Sequence, residues 1–150
     1  MLFRKVLMGA AVVVLFGGCA NQVDPGAPAP GASSPPAWTE PAAYKFTLTS
    51  SCGERALIGR FRTRVKSGLV TENEGLDESA RRALMLRLSR LVPTLGELEA
   101  QAETARKEGA DEVVIQVDPA DGHPTSITID PDRNSMDDEE CYTISDYSVG

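Results

Sequence analysis

Residues 57–72, LIGRFRTRVKSGLVTE, carry two period-two runs on either side of a Ser67-Gly68 turn. Leu57, Phe61 and Val65 fall on one face of the first run, and Arg60, Arg62 and Arg64 on the other. That alternation predicts a half-buried strand over 57–66 and a returning strand over 69–72. Upstream, Tyr44, Phe46 and Leu48 alternate with Lys45, Thr47 and Thr49, which predicts another half-buried strand. Downstream the period changes. Asp77 is placed to cap a helix over Glu78–Leu91, with Ala80, Leu84, Leu88 and Leu91 at helical spacing. Pro93 interrupts it. Thr94 and Glu97 then have capping-box spacing, and Gly109 ends a second helical stretch that reaches Glu108. Strands return at Val113–Val117, Ser126–Asp130 and Tyr142–Tyr147, with an Asp121-Gly122 turn between the first two. The order is three strands, a helical segment, three strands. It predicts an α+β fold: an antiparallel sheet of five to six strands, with one Pro93-broken helical segment packed on one face. The other face is left for solvent or a partner.

The ends of the chain read differently. Arg4 and Lys5 precede an apolar run from Val6 to Phe16, then Gly17, Gly18 and Cys19. A positive, then apolar, then small-residue order is that of a secretory signal, and the run is too short for a membrane-spanning helix. The Gly-Gly-Cys ending resembles the lipobox of bacterial lipoproteins. The resemblance implies cleavage before Cys19 and acylation of that cysteine by chains of the palmitate kind. Residues 1–18 are then the signal peptide. Residues 19–43, with six prolines among Ala, Gly and Ser and no periodicity, are a lipidated tether containing Trp38. Residues 44–150 are one folded domain. The expected location is the extracytoplasmic face of a bacterial cell membrane.

Loss of residues 1–18 moves the formal charge from −7 to −9. An acidic chain is a poor match for nucleic acid, whose phosphates need clustered Lys and Arg. Three cysteines become two once Cys19 carries lipid. Outside the cytoplasm, Cys52 and Cys141 are then expected to form a disulfide; the alternative is two free thiols.

DPADGHPTSITID (118–130) and DDEECYTISDY (137–147), read with Ser51-Cys52-Gly53 and Pro93-Thr94-Leu95, resemble a bacterial family known only as a domain of unknown function. Many of its members are small lipoproteins. The resemblance covers roughly 44–147 and implies fold and location, with no activity attached. Where that family usually carries an aromatic residue, this chain has His123.

No nucleophile elbow, zinc-protease helix, P-loop or dinucleotide fingerprint is present. No cofactor is expected and no metal-ligand set is assigned. Asp130, Asp132 and Asn134 alternate as calcium-loop oxygens do. Ser135, however, stands at the glycine position, and Cys141 where a bidentate glutamate is needed. Arg60, Arg62, Arg64 and Lys66 form a basic stripe suited to an anionic envelope polymer or an acidic envelope protein. The sites expected to bind are Arg60, Arg62 and Arg64, with Asp137, Asp138 and Glu139. A Cys52–Cys141 bridge is expected to draw those acids toward the stripe and mask it. The sequence therefore reads as a non-enzymatic binding or envelope-accessory module anchored by its lipid. The alternatives are a small envelope hydrolase using acidic residues, or a calcium-binding domain.

Overall fold

The 57–72 hairpin forms in the computed structural model, which describes residues 34–53, 57–86 and 92–150. Strands β2 (Gly59–Lys66) and β3 (Leu69–Gly75) are joined by Ser67 and Gly68, both at positive φ (54° and 71°). Two left-handed residues in a two-residue loop match the right-handed twist of the flanking strands, which sets Lys66 opposite Leu69. β1 (Ala43–Ser50) pairs with β2 on one side and with β6 (Glu140–Val149) on the other. β5 (Pro124–Asp130) follows β6, and β4 (Glu112–Val117) closes the far edge. The six strands are all antiparallel, in the order β3-β2-β1-β6-β5-β4. Two three-stranded meanders thus meet along β1 and β6.

Two separate helices connect the meanders. α1 (Glu78–Met85) starts at Asp77, whose side chain accepts the Ala80 N–H at 2.8 Å. It ends at Leu86, short of the predicted Leu91; Leu88 and Leu91 lie outside the described residues. α2 (Leu95–Glu108) carries the predicted capping box between Thr94 and Glu97 and ends on Gly109 at φ 89°. α1 contacts β2 and β3, while α2 contacts β4 and β5.

Both helices bury their small and apolar positions in one core. Ala80, Ala83, Leu95, Leu98 and Ala102 join Tyr44, Phe46, Leu48, Phe61, Val65, Ile127, Ile129, Tyr142 and Ile144. The strand residues in that set are the inward half of each alternation. Gly59 belongs to the same inward row, and a Cβ there would sit 2.6 Å from the Ala80 amide. Its missing side chain is what lets α1 lie directly on β2. One irregularity reshapes β6. Asp146 has φ 53°, and the pairing with β1 shifts between Lys45 and Thr47. The extra residue returns Tyr147 to the core side, where it packs on Tyr44.

Candidate functional site

The outward half of the alternation builds the site. Cross-strand register arranges it in rows running over four or five strands. One row is Ser145, Thr47, Arg62 and Glu74; the next is Ser148, Lys45, Arg64 and Glu72. A third row runs Gln116, Ser126, Thr143, Thr49 and Arg60. The face is therefore a field of hydroxyls bordered by cations, with Glu72 and Glu74 beyond them on β3 and no described helix against it. Thr47 is completely buried at its centre, and its hydroxyl has no hydrogen-bond partner.

The predicted stripe residues Arg60, Arg62 and Arg64 do share this face, but their partners differ from expectation. Arg62 pairs with Glu74 at 2.7 Å and Arg64 with Glu72 at 3.1 Å, both across the β2–β3 ladder. All four side chains are about half exposed or more, so each pair contributes roughly 0–1 kcal/mol. Among the described residues no ion pair joins Asp137, Asp138 or Glu139 to the stripe. These acids sit in the β5–β6 connection, and Glu140 turns inward instead. It is buried and accepts bonds from Gln101 (2.5 Å) and Tyr142 (2.7 Å). The masking acids are thus Glu72 and Glu74, which a four-residue β3 did not reach as a pair.

Lys45 was not singled out from the sequence, although its alternation with Phe46 and Leu48 places it on the outward face. It stands directly opposite Arg64. Like charges in that relation destabilise a sheet. A pocket of about 350 Å³ opens here, lined by Lys45, Arg64, Lys66, Ser148 and Val149 with their backbone neighbours. A larger cavity of about 850 Å³ lies between β3 and the helices. Its two acids are already engaged, Glu72 by Arg64 and Glu97 by the Thr94 N–H.

Cys52 and Cys141 are joined by a disulfide, with Cα atoms 5.3 Å apart. In the β5–β6 connection, the Asp132 carboxylate accepts both Asn134 N–H (2.9 Å) and Asn134 Nδ2 (3.0 Å). Two of the three alternating oxygen residues are therefore spent on a turn. Asp130 and Asp138 each keep one enclosed carboxylate oxygen without a hydrogen-bond partner. Desolvation first, then the charges of Asp138, Glu139 and Asp111, push the Asp130 carboxyl above its ordinary value.

At the β4–β5 loop, ligand-capable atoms of Asp118, Asp121 and His123 lie within 4.8 Å of one another, so the three could contribute to a cation site. Two of the oxygens already serve the loop. Asp118 Oδ1 accepts the Ala120 N–H, and Asp121 Oδ1 meets His123 through both its N–H (3.1 Å) and Nδ1 (2.5 Å). Those bonds hold the Asp121 carboxyl below its ordinary value. His123 stacks on Tyr147 with ring centroids 4.1 Å apart. Tyr147 in turn accepts the Trp38 indole N–H at 3.3 Å.

Trp38 belongs to a strap, residues 36–42, that lies on the domain. Pro36 crosses Gly122 so closely that a Cβ there would meet its carbonyl oxygen at 2.1 Å; Gly122 also has φ 79°. Glu40 accepts the Gly96 N–H at 3.1 Å and the Tyr44 hydroxyl proton. Tyr44 Oη accepts the Leu95 N–H at 2.9 Å. The orphan donors of the first turn of α2 are thus met by Tyr44, Glu40 and Thr94.

Residues 37–149, which span the strap, the sheet and both helices, match DUF6174, a family of unknown function. The chain belongs to that family. The DUF6174 match begins at the strap, so residues 37–43 lie within its bounds. No curated protein and no solved structure matches the chain. No helix among the described residues is long and apolar enough to cross a membrane.

Proposed function

We infer that this DUF6174 protein is a lipid-anchored, extracytoplasmic binding module without catalytic activity. It holds an anionic envelope polymer or an acidic envelope partner against its outward sheet face. The observation that carries the reading is the division of the sheet: both helices bury one face, and the other presents hydroxyl rows bordered by Arg60, Arg62, Arg64, Lys45 and Lys66. A local cationic surface on an acidic chain favours anions at short range, where the net charge is screened. Hydroxyls beside guanidiniums suit sugars, sulfates and phosphates more than apolar ligands.

Two experiments test it. Full-length chain in neutral detergent is passed over immobilised dextran sulfate and, separately, polyglutamate. Retention should weaken with salt and fall at least several-fold in the Arg60→Gln/Arg62→Gln/Arg64→Gln variant; equal retention refutes the face as the binding surface. The anchor is tested by Cys19→Ala, which should leave an unprocessed or released protein. Unchanged detergent partitioning of that variant refutes lipidation at Cys19.

A further inference from the structure

Three cations of the outward face gather at the pocket at its end. Lys45, Arg64 and Lys66 line it, and no Asp or Glu side chain does. Glu72 reaches Arg64 from β3 and is not among the lining residues. Among the described residues neither Lys45 nor Lys66 has an acidic partner. Lys45 and Arg64 face each other directly across β1 and β2, an arrangement that costs stability while the pocket is empty. An anion between them would turn that repulsion into two attractions. On the other side of Lys45, Ser148 supplies a hydroxyl from β6.

Resting on the reading of the face as an anion-binding surface, we propose that this pocket takes a phosphate ester group. One carboxylate, with two oxygens and a single charge, is satisfied by a guanidinium alone. Three lining cations and a hydroxyl, with Arg64 Nε already held by Glu72, match a group with more acceptor oxygens. Arg64 supplies a planar fork, while Lys45 and Lys66 act as point charges. The volume of about 350 Å³ is at the small end of ligand sites, roughly 300–1,000 Å³, and accommodates the phosphate with the carbon substituent it esterifies. Val149, 62 % exposed at the rim, offers that substituent an apolar contact.

The test uses the full-length chain in neutral detergent, titrated calorimetrically with glycerol 3-phosphate. A second arm uses the same micelles doped with phosphatidylglycerol, and acetate is the carboxylate control. Saturable binding is expected in at least one arm and not with acetate. Lys45→Gln and Lys66→Gln should each weaken it five-fold or more. Lys107→Gln, the same charge change on α2, should leave it within two-fold. Binding in the solution arm alone identifies a free phosphate ester, and in the micelle arm alone a lipid headgroup. Absence from both arms overturns the proposal, as does equal binding of acetate or an equal effect of Lys107→Gln. Lys45→Gln should also raise the melting temperature of the unliganded protein, and a fall would show that Lys45 is compensated. Of the three arginines the polymer experiment reads, only Arg64 lines the pocket, and the phosphate variants Lys45→Gln and Lys66→Gln alter none of the three. Lost phosphate binding with intact polymer retention therefore defeats only the pocket.

Discussion

Tyr44→Phe is the sharpest probe of how the N-terminal strap is attached, because it deletes one oxygen and changes little else. Tyr44 is 2 % exposed and Leu95 fully buried, so the Leu95 N–H loses its acceptor in a place water does not reach. An unsatisfied buried donor costs about 1–3 kcal/mol, and a bond to an ionised partner such as Glu40 adds about 1.5–3 kcal/mol when undiscounted. Glu40 is partly exposed and keeps the Gly96 N–H, so its share falls in the lower part of that range. The expected loss is about 2–4 kcal/mol, or roughly 8–15 °C in melting temperature for a domain of this size. Because Trp38 is the sole tryptophan, its emission reports strap docking, and it should shift red in the variant if the strap loosens. Burial, and next the hydrogen bond to Glu40, raise the Tyr44 phenol well above its usual value. The folded state therefore holds this proton more tightly than the unfolded chain does. The associated stability is intact below about pH 10 and is lost as the pH rises beyond it. Tyr44→Phe should remove that alkaline decline. A double-mutant cycle with Glu40→Ala should show coupling of at least 0.5 kcal/mol. Urea unfolding that places Tyr44→Phe within 0.5 kcal/mol of the parent, with Trp38 emission unchanged, refutes the argument.

Three further outcomes are expected. The Cys52–Cys141 bridge spans 89 positions, so Cys52→Ala should cost up to about 4–5 kcal/mol by loop-closure entropy; non-reducing peptide mapping of the parent must recover the linked peptides. The raised Asp130 carboxyl means that the folded state binds this proton more tightly than the unfolded one. Stability should therefore fall as pH rises from about 4 through the shifted value. Asp130→Asn should flatten that slope and be more stable at pH 7 in chelator-treated buffer, and a less stable variant there contradicts the repulsion. Gly122→Ala meets both a positive φ and the Pro36 carbonyl, and should cost about 1–3 kcal/mol while moving Trp38 emission; unchanged emission would mean that the strap does not depend on that crossing.

Much of this architecture was written in local patterns. The alternations around Phe46 and Phe61 mark strands whose inward halves are buried, and Asp77, Thr94 with Glu97, and Gly109 cap the helices as their spacing indicates. Features depending on two distant segments were not legible. Glu72, Asn73 and Glu74 form a polar run, and its strand character comes from pairing with β2 at a sheet edge. The partners of Arg62 and Arg64 follow from register, which a two-residue turn sets and a composition cannot. The strap resembles a tether because Pro-rich residues have no period. Its attachment rests on single groups, Trp38 and Glu40, whose partners lie 109 and 56 positions away. The Asp146 bulge left no signature beyond an ordinary aspartate.

The central position of β1 decides how the domain answers tension. A pull applied on the N-terminal side of Ser34 reaches the strap and then β1. β1 is flanked on both sides by antiparallel neighbours, with ladder bonds perpendicular to its axis. Load along β1 strains those bonds in shear, many at once, where an edge strand would be peeled one bond at a time. At its far end Cys52 is covalently joined to Cys141 on β6. Force that slides β1 therefore passes through sulfur into β6, and the strand cannot be drawn out of the sheet while that link is closed. Reduction would convert the same strand from a fastened rib into a slipping one.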